Sequence, residues 1–237
     1  MSAVFLLTVR QLTGKWRLII MAVLAVMPVL FTMLVVASSS APSVGEFEGV
    51  VLSAMLAGSI APFIVVSIAS PAFANEIEDQ TLANLTLSPL PRWQIVVPKL
   101  VGAIAVAAPF VVGSAFFTSL LGFNHDVTAI VAVTGSAFVG LLMYASLFVW
   151  LGLVTKHAIA VGLVFVVLWE GFFSGYVSGI RFLSVRHYAT ALMHGLDPRR
   201  FIDAPHVGLG VAVAVAAGVF GLFLFLSVRR LRRMDVP

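Results

Sequence analysis

Cysteine is absent from this sequence. That excludes a disulfide framework, a thiolate metal site and a cysteine nucleophile. Charge is also scarce. Only 10% of the 237 residues are charged and 61% are hydrophobic, whereas soluble domains run near a quarter charged. A soluble fold of this composition would have to expose the apolar side chains it needs to hide. Strict alternation of apolar and polar residues is missing too, so the long apolar runs read as helices and not as barrel strands. No G-x-x-x-x-G-K-[ST] occurs, so a phosphate-cradling loop is not expected. No H-E-x-x-H or G-x-S-x-G occurs, which argues against an intramembrane hydrolase. The chain is expected to be no enzyme and to hold no cofactor or metal. No cleavable signal peptide is expected either, because Arg10, Lys15 and Arg17 follow the first apolar residues instead of preceding a short apolar run.

What is present is an all-α polytopic membrane protein. About 20 apolar residues cross a bilayer as a helix, and six such segments are predicted: 18–37, 50–73, 95–121, 127–154, 158–180 and 207–228. The net charge of +4 would suit nucleic acid, but the basic residues gather at span ends, where anionic membrane lipids are the better partner. With the N-terminus inside, the inner segments hold ten basic residues: Arg10, Lys15, Arg17, Arg92, Lys99, Lys156, Arg229, Arg230, Arg232 and Arg233. The outer segments hold four: Arg181, Arg186, Arg199 and Arg200. Both termini are therefore expected in the cytoplasm of a bacterial or archaeal plasma membrane.

The chain is expected to be one transmembrane domain, 1–237. Residues 1–17 are expected to form an interfacial helix that mixes Phe5, Leu6, Val9 and Leu12 with basic side chains facing anionic headgroups; the simpler alternative is a frayed extension of the first span. Residues 74–94 form a cytoplasmic segment, 181–206 an extracytoplasmic one and 229–237 a basic tail. Within 182–196 an amphipathic helix is expected at the outer interface, with Tyr188 at the boundary.

The most distinctive polar sequence is FANEIEDQTLANLTLSPLPRWQIVVPK, residues 73–99. Glu76, Glu78 and Asp79 crowd the start of a predicted helix with Asn75 as its N-cap and Glu78 at its third position, where a helix dipole favours acids. Leu82 and Leu85 give an apolar stripe. Pro89 and Pro91 stop the helix. Arg92 and Lys99 are expected to hold the next span at the inner headgroup layer, with Trp93 beside them. The simple reading is a solvated turn capping two spans. The sharper one is a protein-contact helix that presents both charge and an apolar ridge.

The run E-x-E-D-x-T-L-x-x-L-x-L-S-P-L-P-R-x-x-I-x-x-x-K, from Glu76 to Lys99, resembles the signature of the type-two, export-type family of ABC transporter permeases. The acidic segment, the pair Thr81-Leu82, the turn around Leu85, then Pro89, Arg92 and Lys99 carry the resemblance. Ala74-Asn75 and Gln80 stand where that family often has a basic residue and a glycine. The resemblance implies a permease with an N-terminal interfacial helix, six spans and a coupling helix between the second and third. It implies that Glu76, Glu78, Asp79, Thr81, Leu82, Leu85, Pro89 and Arg92 couple to a separate ATPase subunit, present in two copies and carrying ATP and Mg. It also implies a second permease subunit, as a homodimer or close heterodimer, and an outer segment that re-enters the membrane before the last span. The expected function is ATP-driven export of a hydrophobic or amphipathic substrate. The alternatives are a haem-exporter-type permease in cytochrome maturation, which shares the acidic segment and Pro-Leu-Pro turn, and an ion-coupled secondary transporter. The latter calls for several intramembrane ionisable groups and inverted repeats, and Glu170 stands nearly alone.

Glu170 lies about 18 Å into the fifth predicted span at 1.5 Å per residue. A carboxyl at that depth needs a partner, a proton or water. It either lines a substrate path or is a structural group bonded to a neighbouring Ser, Thr or Tyr; both readings stand. Gly171, Gly175 and Gly179 follow at four-residue spacing and suit close helix packing. His187 and His194 would share a helix face, but polar loop residues are the simpler reading. Pro28, Pro62 and Pro109 bend their spans.

Overall fold

The computed structural model describes residues 2–37, 44–78, 91–173, 181–202 and 207–234. These residues are helical, with no strand among them. We number the helices α1 (Ser2–Leu12), α2 (Lys15–Ala37), α3 (Gly45–Glu78), α4 (Trp93–Gly122), α5 (Val127–Val154), α6 (Ala158–Phe173), α7 (Val185–Leu196) and α8 (Leu209–Arg233). Five of them, α2, α3, α4, α5 and α8, are long and apolar enough to cross a membrane. The shorter apolar α6 covers the first part of the fifth predicted span; 174–180 lie outside the described residues. All-α polytopic architecture is thus what the structure has.

Helix α5 is the hub. It packs on α3, α4, α7 and α8, while α1 and α2 lie against α4. Lipid offers no hydrophobic drive for helices to associate, so small residues let backbones approach. Gly152 of α5 does this at α3: a Cβ there would collide with the Ser70 carbonyl. Gly162 of α6 leaves no room for a Cβ beside the Val66 side chain. The main core joins Ile64, Val65, Phe73, Ile95, Leu141, Tyr144 and Phe148, all buried. Toward lipid, α2 exposes Leu30, Met33 and Leu34, and α8 exposes Val211, Leu222 and Phe225.

The charges sort to one end of the molecule. There α1 meets α4, with Thr8 against Gly102, and the end of α3 meets the start of α4. The turn 155–157 and the last turn of α8, with Arg230, Arg232 and Arg233, join this basic end. At the opposite end Phe123 stacks edge to face on both Phe47 and Phe201, each at 5.5 Å. Asn124 and His125 turn the chain with φ of 48° and 66°, a left-handed conformation that asparagine tolerates better than most residues. Asp126 then caps α5 by accepting from the Thr128 amide at 3.0 Å and binds Arg200 Nη2 at 2.7 Å.

Two expectations change. The second span does not end at Phe73. It continues to Glu78, so Asn75 is an interior helical residue and not an N-cap. Pro71 does not break the helix, because only its own amide hydrogen is lost. Ser70 N still donates to Val66 O at 3.2 Å and Ala74 N to Ser70 O at 3.3 Å. The amphipathic helix of the outer segment exists as α7, and its apolar face is turned into the protein. Ala189, Thr190, Ala191, Leu192 and Met193 are buried, and Ala189 packs beside Gly140 in the body of α5.

Candidate functional site

Two polar sites lie where the apolar helices are otherwise continuous. The first is at the basic end. Lys99, one turn and a half into α4, has a side chain only 2% exposed. Its Nζ forms an ion pair with Glu76 Oε1, donates to the Ala72 carbonyl and lies 4.5 Å from the centre of the Phe73 ring. One ammonium thus binds three groups of a single turn of α3. The predicted place of Lys99 at the headgroup layer is therefore corrected: it is buried under α3, where the Glu76 carboxylate offsets part of its desolvation. Removing one partner of such a pair leaves the other charge stranded, at a cost of about 3–5 kcal/mol.

This pair joins the two helix ends that bracket the acidic segment. Among the predicted coupling residues, Glu76 is in the pair, Glu78 is exposed at the last position of α3, and Arg92 caps α4, its carbonyl accepting from the Ile95 and Val96 amides at 3.1 Å. Trp93 beside it is 44% exposed, as an interface anchor should be. Asp79, Thr81, Leu82, Leu85 and Pro89 lie outside the described residues.

The second site is deep in the helix assembly. Glu170 is fully buried. Its carboxylate accepts from the Ser184 hydroxyl and, at 2.9 Å, from the Val185 amide. Ser184 in turn caps α7, accepting from the His187 amide at 3.3 Å. A helix starting inside the membrane exposes amide hydrogens that lipid cannot satisfy. Glu170, reaching across from α6, satisfies one and sets a negative charge at the positive end of the α7 dipole. The buried Tyr144 of α5 lies beside the same carboxyl. Tyr144 is about 25 Å along α5 from Val127 at 1.5 Å per residue, which puts the start of α7 well inside the length of α5. The structural reading of Glu170, a carboxyl bonded to a neighbouring serine, is the arrangement found.

Next in sequence, Arg186 reaches α3. Its Nε and Nη2 both donate to Ser53 Oγ, at 3.1 and 3.0 Å. Its stem lies flat on Gly58, where a Cβ would come within 3.0 Å of Cδ and Nη1. The two helices flanking this site depart from α-geometry there: Glu48–Ile60 and Phe165–Phe173 are wound in the wider π register, which often marks functional segments. Sequence reasoning missed Ser53, Gly58, Tyr144 and Ser184, and treated Arg186 only as an outer charge. Among the described residues no three His, Asp or Glu side chains are grouped to hold a metal.

The family model described as ABC-2 family transporter protein matches residues 9–185. The match runs from α1 to the first residue of α7, and so includes both Glu76–Lys99 and Glu170. No curated protein matches the chain.

Proposed function

The chain belongs to the ABC-2 transporter family, a family of membrane transport components, and from that premise we propose that it is the permease subunit of an ATP-driven exporter. A separate ATPase, in two copies and carrying ATP and Mg, supplies the energy, and two permease subunits together form the path for a hydrophobic or amphipathic substrate. The basic end faces the cytoplasm, with both termini there.

One observation supports coupling at that end above all others: the buried Lys99 and the partly buried Glu76 are paired across the acidic segment. A contact segment held at only one root would absorb a push from a partner by bending. With both roots pinned by an ion pair, a displacement passes into α3 and α4 together, and through α3 to the hub α5. The partner can shift the membrane helices only by as much as its contacts differ between their two states, so a stiff connection matters.

The test is capture of the full-length chain from its native membrane. An ATPase with a phosphate-binding loop is expected to accompany it, and a membrane extract in which none does would end this reading. Lys99→Met is expected to retain that ATPase while losing most transport per ATP hydrolysed. Glu76→Met combined with Lys99→Met is expected to recover stability, because no charge is left stranded, but not coupling.

A further inference from the structure

We propose that the cleft between the start of α5 and the turn that follows α7, at the end opposite the basic one, binds a zwitterion that joins a primary ammonium to a phosphate, as a phosphoethanolamine headgroup does. The cleft measures about 780 Å³, the size of a small-molecule site. Asp126, Asp197, Arg199 and Arg200 line it, with Leu196 and Ile202 among its apolar residues. Two of the four charges satisfy each other: Arg200 Nη2 binds Asp126 Oδ2 at 2.7 Å, and the guanidinium lies 5.2 Å from the centre of the Phe123 ring. The other two do not. Asp197 is only 9% exposed, yet its carboxylate has neither a hydrogen bond nor an ion pair among the described residues. Arg199 is exposed and likewise has no partner among them. One cleft thus holds a carboxylate and a guanidinium that are not bonded to each other.

Asp197 stands where a negative charge is disfavoured. It is the C-cap of α7, its amide donating to Met193 O at 2.9 Å, and its carbonyl accepts from the Arg200 and Phe201 amides at 3.3 and 3.2 Å. The backbone is fully engaged, while the side chain adds negative charge to the negative end of the α7 dipole. Burial without a partner raises the cost further. A cation at this point relieves both, and it bonds the carboxylate oxygens if it carries N–H donors. That selects a primary ammonium over a quaternary one. Arg199, two residues on, offers its fork to phosphate oxygens. The walls are already set: Phe201 stacks on Phe123, and His194 Nδ1 lies 2.7 Å from the Phe201 carbonyl. Leu196 and Ile202, 42% and 61% exposed, add apolar surface that suits an acyl chain.

The experiment uses the full chain in phosphatidylcholine nanodiscs doped with phosphatidylethanolamine or phosphatidylglycerol, with retained lipid counted by native mass spectrometry. Wild type is expected to retain phosphatidylethanolamine above both other lipids. Asp197→Asn should weaken that retention about tenfold or more, the share of a charge-assisted hydrogen bond, without lowering phosphatidylglycerol. Arg199→Gln should weaken both. Retention of phosphatidylethanolamine no better than phosphatidylcholine by the wild type overturns the proposal, as does undiminished retention by Asp197→Asn. Arg199 is exposed, so Arg199→Gln keeps the test open should Asp197→Asn fail to fold: undiminished retention there overturns the proposal too. Soluble phosphoethanolamine separates the sources. Displacement of the retained lipid shows that the free zwitterion is ligand enough, and an unchanged preference assigns the cleft to a lipid headgroup. No ATPase takes part, so the result is independent of the exporter reading.

Discussion

Glu170 acts first as a helix cap supplied by a neighbouring helix. Glu170→Ala would leave the Val185 amide and the Ser184 hydroxyl without their acceptor in a site water does not reach. We expect a loss of about 1–3 kcal/mol, read as a lowered unfolding midpoint of the purified protein. Glu170→Gln keeps one carbonyl oxygen for the Val185 amide and should cost less. The two variants then separate roles: if Glu170→Gln is stable but impaired in transport-coupled ATP hydrolysis, the charge itself matters at the start of α7, whereas wild-type coupling leaves Glu170 a structural cap. Its isolation in an apolar run made Glu170 legible from sequence, and Ser was among the partners foreseen. Lys99 was legible as part of a motif but misplaced. A lysine near the start of a span ordinarily snorkels to the headgroups; only the extension of α3 past Phe73 brings Glu76 to it. Arg186 was hidden by the counting of charges per side, which treats every arginine outside a predicted span as solvent-facing.

At the scale of the helices, close approach sets the geometry. Gly152 allows α5 to touch the Ser70 carbonyl of α3. Gly152→Ala would press a methyl group on backbone that cannot rotate away, so the two helices must part. An overpacking cost of about 1–3 kcal/mol is expected, together with weakened coupling, since α5 is one of the main helices on which α3 packs. Gly113→Ala is the control, because nothing lies near its missing Cβ; comparing the two unfolding midpoints distinguishes packing from helix propensity. Sequence periodicity placed the helices well where turn chemistry marks their ends. The helix predicted at 127–154 is the one found, because Asp126 is an N-cap and the Asn124-His125 turn precedes it. It failed for α3, where Pro71 and Asn75 look like a boundary but the backbone ladder survives a single missing amide. It failed also for α7, whose polar composition suggested a surface helix. Amphipathicity reports that one face is apolar, not whether that face meets lipid or Gly140 of α5.

For the whole molecule, the gathering of charge at one end is both the clearest feature of the sequence and an arrangement the fold keeps. Arg10, Arg92, Lys156 and the run Arg229–Arg233 derive from four separate parts of the chain, yet the packing of α1 on α4 and of α8 on α5 collects them on one side. Trp150 of α5 stacks near Phe223 of α8 at 5.4 Å, so both helices run toward that side together. The opposite end is not free of charge, but there Arg200 is matched by Asp126, whereas the basic end keeps an excess that a negatively charged inner leaflet would attract, at about 1 kcal/mol per basic residue near the surface. Orientation is therefore expected to follow the basic end inward. The absence of native cysteine makes this directly measurable. Cysteine placed at Lys156 or at Gln80 in the contact segment should react with a membrane-impermeant maleimide only in inside-out vesicles, and cysteine at Arg199 only in intact cells. Lys156 and Arg199 are both exposed, so a silent position cannot be blamed on burial. Labelling of Lys156→Cys from outside intact cells would invert the molecule and remove the contact segment from any cytoplasmic ATPase, whereas labelling of Arg199→Cys there with Lys156→Cys protected is what the charge distribution requires.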